Sequence, residues 1–222
     1  MSDLALRPLL GLVVEGHCEF NCLPTAACRV VGSSLNIKKS HPQGNGRVLH
    51  KLAEELSDIV VVHKPYWLIA VLDLVDALED GTYISCKQVL EALSASVAKW
   101  FAMAQSDPRL SPLPSGVSVV LEIPEYESWL IADCQGLAES ALVDAAKCTH
   151  SCTNVDDDIP NPDKWLHECL VERIDTKRKE NCEALFSGVK VSRAREHSKS
   201  FDKFCREVEK AYASWLLELT EQ

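Results

Sequence analysis

"LLGLVVEGHCEF" spans residues 9–20. Its first half is short, continuous and apolar, the pattern of a strand buried on both faces. The run stops at Glu15-Gly16, and a helical pattern begins in "HCEFNCLPTAACRVVG" (17–32), with Gly32 as its stop signal. A second acid, Glu19, follows Glu15 four positions on. Strand ends reach solvent and are often polar, so an acid there is ordinary. Two acids one helical turn apart at the mouth of a buried strand are also a way to hold a metal ion.

The pattern repeats. "WLIAVLDLVD" (67–76) and "VSVVLEI" (117–123) are further buried strands, and both run out in acids. A short strand is expected in "SSLNIKK" (33–39), and "SHPQGNGR" (40–47) is a loop by its Gly, Pro and Asn content. "RVLHKLAEELSDIV" (47–60) and "ISCKQVLEALSASVAKWFAMAQ" (84–105) carry apolar residues at helical spacing, and "EYESWLIADCQGLAESAL" (125–142) begins helical. Strands alternating with helices predict an α/β fold, a mainly parallel sheet flanked by helices. That core is expected over residues 1–142. Residues 143–222 read as a helical extension packed on it: a polar loop at 147–165, then helices at 166–189 and 198–222.

Composition narrows the function. The chain has 222 residues, 46% of them hydrophobic, which suffices for a substantial core. No apolar run approaches the ~18 residues of a membrane span, and the N-terminus lacks a basic segment before its apolar run. The expectation is a cytoplasmic protein that contacts no membrane, with its ten cysteines reduced. The spacings in "HCEFNC" and "CTHSC" (148–152) are not those of common zinc knuckles. A net charge of −10 argues against a protein that coats nucleic acid nonspecifically. An enzyme that acts on nucleic acid remains open, because a carboxylate-rich site itself adds negative charge.

In a parallel sheet, function gathers at the carboxyl ends of the strands. Here those ends carry Glu15, then Asp73 and Asp76, then Glu122, Glu125 and Glu127. Converging carboxylates repel unless a cation separates them. Mg2+ or Mn2+, hard and oxygen-seeking, fits such a donor set, and phosphodiester chemistry fits such a metal.

"VVEGHCE" resembles the first Toprim motif, a strand delivering Glu then Gly, with a further acid soon after, and "IAVLDLVDA" resembles the second, a buried strand ending in Asp-x-Asp. The Toprim fold is shared by topoisomerases, bacterial primases and overcoming-lysogenization-defect nucleases. "EYESWLIAD" (125–133), "RIDTKRKE" (173–180) and "SKSFDKFCREV" (198–208) are similar to Toprim-like proteins of unknown function. Those proteins sit beside SMC/ABC-type ATPases in bacterial abortive-infection and phage-defence operons. The resemblance implies a Toprim-like, Rossmann-like core and a Mg2+- or Mn2+-dependent nuclease effector acting on DNA or RNA. It also implies an ATPase partner, and it admits a homodimer. Glu15 would act in acid/base or metal chemistry, Asp73 would be catalytic and a ligand, and Glu19, Asp76, Glu125 and Glu127 would be ligands or stand behind them. The chain departs from the motif at Val75, which occupies the place of the second Asp. That departure motivates the alternative of a non-catalytic interaction subunit of the same ATPase complex.

Phosphate contacts are expected from Arg47, Lys164, Lys177 and Arg195, although solvated surface is the ordinary state of such side chains. Trp129 is more simply core than a base-stacking platform, and Ser198 and Ser200 more simply cap the last helix.

Overall fold

The computed structural model describes residues 6–41, 47–79 and 81–221; the side chains of 47–49 and of Glu79 are also outside the description. Strand β1 (Leu10–Val14) is followed by α1 (His17–Val31), β2 (Ile37–Ser40), α2 (Arg47–His63) and β3 (Trp67–Asp73). Then come α3 (Leu74–Glu79), α4 (Cys86–Ala104) and β4 (Gly116–Glu122). Among the described residues the strands form one four-stranded sheet in the order β2-β1-β3-β4, and every pair is parallel. This is an α/β, Rossmann-like arrangement.

Alternation along the strands creates two apolar layers. Leu12, Val14, Ile69 and Val71 face Leu23, Ala26 and Ala27 of α1. Val13, Leu68, Ala70 and Leu72 face Leu52, Leu56 and Val60 of α2 and Val89, Leu93 and Trp100 of α4. Period-two alternation sends successive side chains to opposite faces, so strands sandwiched this way must be apolar throughout. Helix α1 stops at Gly32, whose φ of 66° is the left-handed cap that glycine adopts without a Cβ clash.

After β4 the chain builds short helices on the α1 side: α5 (Glu127–Ile131), α6 (Cys134–Leu137), α7 (Val155–Asp158), α8 (Pro162–Cys169), α9 (Lys179–Ser187) and α10 (Val191–His197). The long α11 (Lys199–Thr220) closes the layer against α1 and β4. Trp129, Phe201 and Phe204 lie in the same apolar cluster as Leu12 and Val14. A polar relay also ties α11 to the sheet: Trp67 Nε1 donates to Ser118 Oγ (3.1 Å), which donates to Glu207 Oε2 (2.6 Å). Trp129 is 1% exposed and its indole donates to Ser200 Oγ at 2.7 Å, so it is core rather than a base platform. Ser198 caps α11 by accepting the Phe201 N–H.

Several boundaries differ from the sequence expectation. The strand expected over 67–76 ends at Asp73, because Asp73 accepts the Tyr126 N–H (3.1 Å) and the Val75 N–H turns to the Pro124 carbonyl (3.1 Å). The strand expected over 33–39 is Ile37–Ser40. The helix expected over 166–189 is two helices, interrupted where Leu170 becomes extended and bridges to Val143. The loop expected over 147–165 contains α7, and α10 was not anticipated. Gly44 and Gly46 of the expected 40–47 loop lie outside the described residues. Among the described residues, no helix is long and apolar enough to cross a membrane.

Candidate metal centre

Strand order fixes where a site can form. From β1 the chain moves to one side, to β2; from β3 it moves to the other, to β4. The crevice between the carboxyl ends of β1 and β3 is therefore the switch point, where open α/β sheets bind ligands. A cleft of ≈ 1170 Å3 lies there.

Two acids of its lining, Glu19 and Asp73, converge with Glu122, which is buried beneath them. Glu19 comes from the first turn of α1, Asp73 ends β3 and Glu122 ends β4, in register with Asp73. One carboxylate oxygen from each lies within 4.8 Å of the others. Glu19 is 3% exposed and Glu122 is 0% exposed. Gly16 makes this possible, since a Cβ at that position would overlap the Glu19 carboxylate. The glycine therefore makes room for a ligand side chain. Among the described residues, the two buried oxygens of Glu122 have no hydrogen-bond donor, and ionised neighbours can only accept. Either protons shared among the three acids or a cation must compensate them.

Their electrostatics say the same. Burial, then the Asp73 charge, pushes the Glu19 carboxyl up to about 8. Burial also lifts Asp73 to about 6, with the Asp76 and Glu125 charges adding to it. Glu122 is held well above the ordinary range by burial and by the charges of Glu19 and Asp73. Glu127, next to them, rises to about 8 through burial and then the Glu125 charge. Without a cation these acids retain protons that the unfolded chain releases. The stability this gives is full below about pH 4.5 and is lost as pH rises through 6 to 8. In EDTA the melting temperature is expected to fall by at least about 5 °C between pH 5.5 and 8, and Mn2+ is expected to remove most of that fall. A scanning fluorimetry series with and without Mn2+ checks this; a flat profile in EDTA would contradict it.

The sequence-derived residues distribute as follows. Glu15 lines the cleft beside the triad and is buried. Asp76 also lines it, three positions after Asp73 on α3, whereas Val75 points outward at 43% exposure. Glu125 lines the cleft and accepts the Asp163 N–H at 3.0 Å, and Glu127 is buried in the wall. Lys177 reaches the cleft. Lys164 does not: it faces solvent beside Glu168 at 3.9 Å, while its neighbours Asp163 and His167 line the cleft. Arg195 is elsewhere, held by Asp202 (2.8 Å) and Glu209. Arg47 starts α2, and its side chain is not among those described.

Sequence reasoning read Glu122 only as a strand-end acid and did not place it in the ligand set. The signal was its equivalence to Asp73 at the end of a buried strand. It also missed Arg173, which lines the cleft with Lys177. A pair of rings, His17 and His41, stands at the edge with centroids 4.4 Å apart. Burial and the His17 neighbour lower the His41 pKa, favouring the neutral ring.

An all-oxygen, carboxylate-only donor set is hard and suits a hard cation better than a soft one. Buried Glu19 and Glu122 and half-buried Asp73 could together hold a metal ion. No family model, curated protein or solved structure matches the chain.

Proposed function

We propose that the protein is a Toprim-like, Mg2+- or Mn2+-dependent phosphodiesterase, a nuclease working with an ATPase partner in bacterial phage defence. The observation that carries the metal-dependent reading is the convergence of Glu19, Asp73 and Glu122, from three separate segments, at the sheet's switch point. The resemblance of "VVEGHCE" and "IAVLDLVDA" to Toprim motifs supports the narrower family, and the defence setting rests on that resemblance alone.

In this reading Glu19, Asp73 and Glu122 hold the ion, with Asp76, Glu125 and Glu127 as further acids of the cleft lining. A bound divalent ion would polarise a phosphoryl oxygen and lower the pKa of a coordinated water. Glu15, which lines the same cleft, would accept a proton from the attacking water. Arg173 and Lys177 line the same cleft and bring positive charge for phosphate oxygens.

The test is cleavage of DNA and RNA substrates by the purified protein with Mn2+, Mg2+ or EDTA. Metal-dependent cleavage of at least one polymer is expected. Its absence, including in the presence of the ATPase partner, would favour the non-catalytic subunit. Replacing Arg173 and Lys177 together by Ala is expected to raise KM about tenfold with a smaller change in kcat. An unchanged KM would remove them from substrate binding.

A further inference from the structure

Two imidazole rings stand at the edge of the acidic cleft. His17 opens α1, two residues from Glu15 and two from Glu19. His41 follows β2, and the parallel register that sets Val13 beside Ser40 brings it out at the same sheet edge as Glu15. Both line the cleft, and their ring centroids lie 4.4 Å apart at an interplanar angle of 33°. Inside a core such a contact would be packing. Here His17 is exposed and His41 is half-buried, so ring surface is open to a ligand in the cleft. The other rings of the lining are less available: Tyr126 is 3% exposed, and His167 Nε2 sits 3.4 Å from the Asp163 carboxylate.

The pair stands on anchored neighbours. Phe20, three residues after His17, meets His41 in a T-shaped contact with centroids 6.0 Å apart and packs against the core. Lys39 Nζ lies 3.9 Å from the Phe20 ring centroid and donates to the Phe20 carbonyl at 2.7 Å. Cys18, next to His17, is joined by a disulfide to Cys182 of α9, with Cα atoms 5.5 Å apart. The expectation of reduced thiols throughout meets an exception at this pair. The turn that carries His17 is therefore tied to α9, and the rings are preorganised before a ligand arrives.

We propose that His17 and His41 form a stacking platform for an unpaired nucleobase, so that the cleft takes single-stranded nucleic acid. Every base has a π-face that an aromatic or imidazole ring can cover. In a duplex those faces are covered by neighbouring bases, and the platform has nothing to stack on. His17 lies in sequence between Glu15 and Glu19, so a base on it holds its strand beside the metal centre. Arg173 and Lys177 of the same cleft supply contacts to the phosphates. Stacking tolerates any base, which gives discrimination by strandedness rather than by sequence. It needs only ring surface, so it does not depend on the protonation of either imidazole. The proposal rests on the reading of the cleft as a nucleic-acid site and adds which form of the polymer enters.

The test is fluorescence anisotropy with the full-length protein and three labelled probes of equal length: a single strand, its duplex, and a strand of abasic residues with the same phosphates. Ca2+ replaces Mn2+ to keep the probes whole, and a denaturing gel checks that they are. The wild type is expected to bind the single strand about tenfold tighter than the abasic strand, the scale of one stacked base, and tighter than the duplex. His17→Ala and His41→Ala are each expected to abolish the difference between the two single strands. His17→Phe is expected to keep it, because the ring remains. Equal affinity of the wild type for the two strands, a duplex bound as tightly as the single strand, or no binding of any probe overturns the platform. A difference that survives in both Ala variants, or that is lost in His17→Phe, overturns it as well. Cleavage is read separately with Mn2+: base discrimination without cleavage contradicts the nuclease and keeps the platform, and cleavage without discrimination does the reverse.

Discussion

Asp73→Asn and Glu122→Gln are each expected to lower Mn2+ affinity and metal-dependent cleavage by at least about 100-fold, beyond the usual cost of losing an outer-shell partner. Both substitutions keep shape and remove one charge from a triad whose oxygens lie within 4.8 Å. The same change relieves repulsion in the metal-free protein, since each acid is destabilised by its charged neighbours. Glu122→Gln is therefore expected to melt higher than the wild type in EDTA at pH 8 while binding Mn2+ far more weakly. Opposite movement of stability and affinity is the mark of a functional acid cluster, and a purely structural acid would lose both. Glu15→Gln separates the roles further: metal affinity should persist while turnover falls. Calorimetric titration with Mn2+, thermal melts and cleavage rates on the same preparations distinguish these outcomes.

Asp133→Ala is expected to destabilise the fold by about 3 kcal/mol and lower the melting temperature by roughly 10 °C. Asp133 follows α5, and its side chain is 1% exposed. Oδ1 accepts from Arg193 Nε (2.6 Å) and the Gly136 N–H (3.0 Å). Oδ2 accepts from Arg193 Nη2 (3.0 Å) and the Lys190 N–H (2.7 Å). One carboxylate thus joins the start of α6, the start of α10 and a guanidinium. Truncation leaves those backbone donors without an acceptor. Arg193 can turn toward Glu139, 4.0 Å away, which limits the loss. Denaturant unfolding measures the effect, and a loss below about 1 kcal/mol would contradict the role given to Asp133. Mn2+ affinity of the folded variant should be unchanged, because Asp133 is not among the residues lining the acidic cleft.

Much of the sheet was legible because buried parallel strands leave a strong local signal. "LLGLVV" and "WLIAVL" are apolar throughout because those strands are covered on both faces, and "VSVVL" departs from this only at Ser118. The acids that end them stand out for the same reason, and Glu15, Glu19 and Asp73 could be singled out one strand at a time. Their convergence could not be read that way. It follows from the order β2-β1-β3-β4 and from the register that sets Asp73 beside Glu122.

The misplacements have the same origin. Asp73 and Asp76 looked like one strand end, but hydrogen bonds exchanged with the 124–126 turn stop the strand after Asp73 and start α3. Arg195 looked like a phosphate ligand because its partners, Asp202 and Glu209, lie on a different helix. The missing Cβ of Gly16 admits the Glu19 carboxylate, a contact that the Glu-Gly pair does not announce in sequence. Cys18 and Cys182, 164 residues apart, carry no local sign of pairing.

The most direct measurement is a crystal of the protein soaked in Mn2+ and recorded at a wavelength where manganese scatters anomalously. The expected result is a peak bonded at about 2.1–2.2 Å to oxygens of Glu19, Asp73 and Glu122 in the wild type, absent from Asp73→Asn. Ordered carboxylates with no peak between them at saturating Mn2+ would contradict the metal centre, and with it the phosphodiesterase built on it.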